Sequence, residues 1–272
     1  MRTAIFVILA LIIVLPLLVA WTRPILTNLQ VRMLNRTFPR KPGVSDASYE
    51  RAQKLPTLMG PGFAAKIAGR TVIDFGCGAG ADTVEIAKLG AAQAIGIDMR
   101  ETMLSAARQR AAAAGTQDTC HFATSTDEPA DVIVSVDSFE HFSDPAEILR
   151  IMNTLLKPHG EILVSFGPTW YHPLGGHTFS VFPWAHLILS EKALIMWRSG
   201  FKTDGATRFT EVDGGLNQMT IARFKQLVAE SPLKFAALEC APIRKLRLLH
   251  NHLTREFTTA VVRCRLVKKS AG

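Results

Sequence analysis

Thr71–Gly80, TVIDFGCGAG, opens on three β-branched residues and closes with three glycines in its last five positions. β-Branched residues favour a buried strand, and glycine lets the chain bend sharply with no side chain over the bend. The stretch therefore reads as a strand ending in a turn whose backbone a ligand can approach closely. Helix-forming residues follow at once, DTVEIAKL over Asp82–Leu89, so the glycines stand where amides at a helix N-terminus meet a polar or anionic group. A nucleotide-like cofactor suits such a turn, although the same glycines can also serve only to pack a helix on a sheet. Gly76, Gly78 and Ala81 satisfy G-x-G-x-x-A as well, so the turn alone does not separate a nicotinamide enzyme from one that uses an adenosyl cofactor.

A second buried strand, AQAIGIDM over Ala92–Met99, ends in Asp98, about twenty residues past the turn, the position of a ribose-binding acid in a βαβ unit. A carboxylate there accepts from both ribose hydroxyls, each such bond contributing roughly 1.5–3 kcal/mol. Asp98 also precedes the helical run Glu101–Ala114, where it can act as N-cap. Asp74 with GCGAG, then GIDMRETML, then ADVIVSVDSFEHFSDP, then LLKPHGEILVSF resembles the class I S-adenosylmethionine-dependent methyltransferases of the small-molecule branch, over Thr71–Gly167 in order and spacing. The resemblance implies that Gly76, Gly78 and Gly80 line the methionine end of S-adenosyl-L-methionine, that Asp74 helps hold its ammonium group indirectly, and that Asp98 holds the ribose. Cys77, Met99 and Asp137 are counted with them as cofactor-binding positions. One position departs from the family: after the third strand, HFATSTDEP offers Thr124, Ser125 and Asp127 where an acid usually meets the adenine amino group.

Strand and helix signals go on alternating, with strands at Cys120–Ser125, Asp131–Val136 and Glu161–Phe166 and a helix at Ala146–Leu156. Parallel strands with helical crossovers predict an α/β, doubly wound sheet. Pro158 and Gly160 mark a helix-to-strand turn, and Ser143 or Asp144 caps the preceding helix. An insertion of about 168–230 then begins with PTWYHPLGGHTFSVFPWAHLILS, crowded with aromatics, and sits where an acceptor would bind in such a sheet. Its helical runs are Leu187–Arg198 and Met219–Glu230, and Phe235–Cys240 and Phe257–Leu266 close a mostly parallel seven-stranded sheet. That the last strand is antiparallel is implied by the family.

A methyl group on sulfonium is already activated, so the protein has to align the acceptor and, where needed, remove its proton. His141, in DSFEHF after the fourth strand, is the first candidate base, with His172 and His177 next. Asp137, Glu140, His141 and His177 also resemble the E-x-x-E-H and distant histidine that bind a divalent metal in certain O-methyltransferases, with Asp137 in place of the usual Glu. Two carboxylates and two imidazoles suit magnesium, manganese or zinc. The same E-H-x-x-D-P run also serves relatives simply as a turn.

The 272 residues suffice for one catalytic domain with an extension, predicted as 51–272, with its cofactor-binding core at 71–167. The formal charge of +8 is dispersed and no aromatic-interleaved basic motif appears, so nucleic acid is not the expected partner. Cys77, Cys120, Cys240 and Cys264 lack metal-finger spacing and read as free thiols. Ala4–Trp21 is an uncharged apolar run, near the lower limit for a membrane-spanning helix, and LLVAWTRP lacks a clean cleavage pattern. We expect an uncleaved anchor over 1–22. Arg2 alone precedes it while Arg23, Arg32, Arg36, Arg40 and Lys41 follow, which predicts a basic juxtamembrane connector over 23–50 and a cytoplasmic catalytic domain. The expected activity is methyl transfer to a small, hydrophobic acceptor, oxygen favoured. The rivals are a nicotinamide-dependent oxidoreductase and a catalytically silent binding module of the same fold.

Overall fold

The computed structural model describes residues 25–39 and 54–269. Among them, β1 (Thr71–Phe75), β2 (Gln93–Ile97), β3 (Cys120–Ala123), β4 (Ala130–Val136), β5 (Leu156–Phe166), β6 (Leu233–Pro242) and β7 (Thr259–Lys268) form one sheet in the order β3-β2-β1-β4-β5-β7-β6. The first five run parallel, and β7 is antiparallel to both β5 and β6. The sheet is thus mixed, and β1 lies between β2 and β4, where strand order reverses and ligands bind in open α/β sheets.

Among the described residues, ten α-helices surround it: α1 (25–37), α2 (Lys54–Met59), α3 (Phe63–Ile67), α4 (Ala81–Lys88), α5 (Glu101–Ala113), α6 (Pro145–Leu155), α7 (Ala185–Ile188), α8 (Glu191–Arg198), α9 (Ile221–Glu230) and α10 (Arg255–Thr258). Side chains alternate across a strand, so a strand covered on both faces must be apolar throughout. Val72, Val132 and Val134 accordingly pack on one face with Phe63, Ile86 and Leu104 of α3, α4 and α5. Their neighbours Ile73 and Ile133 pack on the other with Leu149, Met152, Phe224 and Val228 of α6 and α9.

The insertion has its own small core: Phe179, Leu194, Trp197, Phe209 and Leu216 gather with Leu34 of α1. Part of the expected connector is therefore a helix packed on the insertion. Trp197 Nε1 donates to Phe38 O (3.1 Å), and Ser190 Oγ donates to Gln30 Oε1 (2.8 Å).

Several expected boundaries shift for local reasons. Asp98 is not the cap of α5; Arg100 occupies that position and makes no side-chain cap bond. Asp144 does cap α6, accepting from Glu147 N at 3.0 Å. Pro158 and Gly160 lie inside β5, which already pairs at Leu156 with Ala130 and shifts register before Glu161. The run Leu187–Arg198 breaks at Ser190, whose Oγ accepts from Ala193 N and starts α8 afresh. A helical turn at α10 delays β7 to Thr259. The expected membrane span Ala4–Trp21 lies outside the described residues; among the described residues no helix is long and apolar enough to cross a membrane.

Candidate active site

The glycine turn is tied to the end of β2, because Gly76 N and Cys77 N both donate to Ile97 O (2.8 and 3.0 Å). Gly78 N donates to Asp98 Oδ2 (3.0 Å), and Arg100 N to Asp98 Oδ1 (2.9 Å). Asp98, only 9% exposed, thus faces the turn rather than the helix after it, and the Arg100 guanidinium grips the same carboxylate at 3.1 and 3.3 Å. Gly76 has φ +87°, and a Cβ there would stand 2.6 Å from Ser138 Oγ. Gly80, φ +74°, leads into α4 and would bring a Cβ within 2.6 Å of Ala107 Cβ. A Cβ on Gly78 would meet nothing within 4 Å, so the space above the middle of the turn is open to a ligand.

Asp74 is buried beneath the turn and accepts from Thr83 Oγ1 (2.6 Å). Burial, and then the nearby Asp82 carboxylate, push its pKa up to about 7. Such a carboxyl ionises readily only when a cation arrives beside it.

At the end of β4 the backbone turns left-handed at Asp137, φ 48°, whose N–H donates to Ser165 O (2.8 Å). The Ser138 hydroxyl lies 2.8 Å from Val136 O and 3.1 Å from Gly76 O, joining this turn to the glycine turn. Glu140, 2% exposed, accepts from Gly167 N through Oε1 (3.3 Å). His141 Nδ1 lies 2.8 Å from Gly215 O; a carbonyl only accepts, so Nδ1 carries the proton and Nε2 keeps its lone pair. The His177 ring lies 5.1 Å from that of His141, and one ligand atom each of Glu140, His141 and His177 falls within 4.8 Å of the others. His177 Nε2 is buried without a hydrogen-bond partner. Burial lowers both imidazole pKa values, His177 to about 4 with His141 adding to the effect. Both rings are therefore neutral and present lone pairs.

Residues 67–169 match the protein family described as methyltransferase domain. That stretch is a methyltransferase domain. The match resolves the choice that the glycine turn left open, in favour of the adenosyl cofactor over the nicotinamide one. The chain is 37% identical over 100 residues to ribosomal protein L11 methyltransferase of Vibrio cholerae serotype O1 (strain M66-2), covering 36% of this chain and 34% of that protein. It is 39% identical over 105 residues to ubiquinone biosynthesis O-methyltransferase of Stutzerimonas stutzeri (strain A1501), covering 36% and 45%. The chain thus spans less than half the length of these curated relatives. Among solved structures, a Pyrococcus horikoshii OT3 protein superposes with TM-score 0.53 at 16% identity, covering 87% of this chain and 99% of that one, a likeness of fold.

The methyltransferase domain does not bring all the expected residues together. Asp137 stays outside the converging atoms, but its charge acts on His141. His172 is a loop former: its Nδ1 accepts from Leu174 N (2.9 Å), and it takes no part in the pairing of His141 and His177. Cys77 packs inward against Gly96, where a Cβ would stand 2.9 Å from its Sγ, and burial pushes its thiol pKa up. Met99 is 89% exposed beside Asp98. Cys77, Cys120, Cys240 and Cys264 are all free.

Sequence reasoning passed over three supporting residues. Thr83 holds Asp74, and Gly96 makes room for Phe122 and Cys77. Asn217, far along the chain, donates to Phe139 O and Phe142 O (both 2.8 Å) and clamps the turn that carries Glu140 and His141. A lone glycine inside β2 was the one readable signal among them.

Proposed function

We propose that this protein transfers the methyl group of S-adenosyl-L-methionine to a small, hydrophobic acceptor at the cytoplasmic face of a membrane, with oxygen as the receiving atom. The convergence of Glu140, His141 and His177 beside the glycine turn carries this reading. The aromatic insertion supports an apolar acceptor, since Trp170, Tyr171, Phe182 and Trp184 lie along it, and the uncharged run Ala4–Trp21 supports the membrane. The two curated relatives name a protein and a ubiquinone pathway, and each matches only 36% of this chain. The acceptor is therefore argued from the insertion and the cluster.

Cofactor binding follows from the turn. The open backbone above Gly78 admits the methionine end, Asp98 receives the ribose hydroxyls, and Asp74 sits where the ammonium group's charge favours its ionised form. His141 Nε2 is placed to take the acceptor's proton. The cluster also fits a divalent cation in place of that proton transfer: Glu140, His141 and His177 would hold it, His141 Nε2 then serving as a ligand rather than a base and the unpartnered His177 Nε2 among the donors. Such a cation would lower the pKa of an acceptor hydroxyl.

Two outcomes follow. His177→Ala is expected to lower the transfer of labelled methyl to membrane-extracted small molecules by about 100-fold, while S-adenosylhomocysteine still binds. Metal analysis of the purified protein, with that variant as control, reads the cation directly; wild-type transfer by the variant would remove the cluster from the chemistry. Loss of S-adenosylhomocysteine binding by the unaltered protein would instead leave only a silent fold.

The second outcome concerns pH. Asp74 holds its proton up to about pH 7 in the free protein, so cofactor binding at pH 6 releases a proton, and affinity falls by up to roughly tenfold for each unit below 7. A carboxyl pKa raised on folding makes the free fold lose stability as pH rises between about 4 and 7. Calorimetry in buffers of different ionisation heat measures the released proton, and Asp74→Asn should abolish it. A pH-independent affinity between 5 and 7 would place Asp74 away from the ammonium group.

A further inference from the structure

We infer that the end of the molecule carrying the site seats on an anionic lipid bilayer through one continuous face, built from α1, α7 and the crossover between β6 and β7. The inference rests on the membrane reading above and identifies the surface that does the docking.

On α1, Ile25, Leu29 and Met33 stand four residues apart, hence on one stripe, and are 59%, 63% and 40% exposed. The stripe passes into exposed Arg32 and Arg36. It is apolar toward the uncharged run Ala4–Trp21 and basic away from it, the gradient of a helix leaving a bilayer through its headgroups.

The crossover presents a second such surface, with Leu248 fully exposed, Leu253 77% and Phe257 45% exposed. Residues 243–258 hold four basic side chains, Arg244, Lys245, Arg247 and Arg255, against one acid. That acid, Glu256, is occupied in accepting from Ile221 N (3.0 Å) and Ala222 N (2.8 Å) at the start of α9.

Contacts join the two surfaces through the insertion. The Phe257 ring lies 5.3 Å from Tyr171, Tyr171 O accepts from Trp184 Nε1 (3.0 Å), and Ile188, 65% exposed, follows one turn later. Ser190 then bonds to Gln30 of α1. The face is at the site's end of the sheet: β6 runs in the same direction as β5, so the crossover leaves from the strand ends that carry the glycine turn and the Glu140 cluster.

Interleaved leucines and cations favour lipid over protein, because a protein interface depletes charge at its apolar centre, whereas a basic amphipathic surface suits headgroups and acyl chains together. A lipophilic acceptor would then reach the insertion without crossing water.

The test uses the full chain reconstituted in vesicles of mixed anionic and zwitterionic phospholipid. Environment-sensitive fluorophores are placed singly at Leu248→Cys and Leu253→Cys, with Lys88→Cys on α4 as control and Cys240→Ser removing the half-buried native thiol. Labels at 248 and 253 are expected to shift to the blue and to be quenched by lipid-borne nitroxide, as for groups about 5–10 Å below the headgroup boundary. The control should do neither. Water-like emission at 248 and 253 would overturn the inference. So would a blue shift that persists in lipid-free detergent beyond the nitroxide's reach, the sign of a second copy or a protein partner there. Replacing Arg244, Lys245 and Arg247 together by Glu should abolish the quenching; unchanged quenching would overturn the headgroup attraction. Calorimetry with S-adenosylhomocysteine on the same vesicles separates the two readings. Heat with water-exposed labels sinks the docking alone, and buried labels without heat sink the methyl-transfer reading alone.

Discussion

S-adenosylhomocysteine is expected to bind the Asp98→Ala protein at least about 100-fold more weakly than the unaltered one. In the free protein the Asp98 carboxylate accepts from Gly78 N, from Arg100 N and from the Arg100 side chain. On the proposed reading the ribose hydroxyls would take over from the guanidinium, which is half-exposed and can turn to water or to Asp213, 4.0 Å away on the insertion. Alanine would then remove two charge-assisted ribose bonds, each contributing roughly 1.5–3 kcal/mol, and it also releases the middle of the glycine turn. Asp98→Asn keeps an acceptor without the charge and should fall between the two. The free Asp98→Ala protein should still melt cooperatively, because Arg100 is left solvated. Calorimetric affinity within about threefold of the unaltered protein would mean that the ribose lies elsewhere.

Arg198→Ala should lower fold stability by about 2 kcal/mol, because it removes two charge-assisted bonds from a buried guanidinium, although Asp204 itself is exposed. Arg198 is buried in the insertion and meets Asp204 through both guanidinium nitrogens, at 2.7 and 2.6 Å. Asp204 in turn accepts from Ala206 N (3.3 Å) and Asp213 N (2.9 Å), so the pair fixes the loop that leads to Gly215 and His141. For a chain of this size the loss corresponds to a fall of roughly 4–8 °C in melting temperature. Its pH dependence has a definite sign. The Arg198 bond holds the Asp204 carboxyl well below its usual range, a depressed folded pKa whose stabilisation is present above about pH 4 and fades in stronger acid. The gap between the two proteins should therefore narrow below pH 4. Equal melting of Arg198→Ala and the unaltered protein at pH 7 would show that the pair carries no net stability.

The cofactor half was largely legible along the chain. TVIDFGCGAG, the acid at Asp98 and the cap at Asp144 are short-range signals: β-branched runs, glycines at bends and capping carboxylates act over a few residues. The insertion was legible as an aromatic excursion with two helical runs, but its packing was not, because its core draws Leu34 from a helix far upstream and its loops are fixed by contacts such as Asn217 to Phe139. The histidines show the same limit. His141, His172 and His177 look alike in sequence, yet the fold turns His172 toward Leu174 N and sets His141 and His177 ring to ring.

By itself, then, the order of residues determined the strand that precedes the glycine turn, the turn itself and the acid that faces it, since each depends on backbone preferences of neighbours. Only the tertiary structure decided that Asp98 braces Gly78 rather than capping α5, that Glu140, His141 and His177 converge while Asp137 stands aside, and that α1 packs on the insertion. Those outcomes turn on which distant side chains burial brings within hydrogen-bonding reach, and no local pattern encodes that.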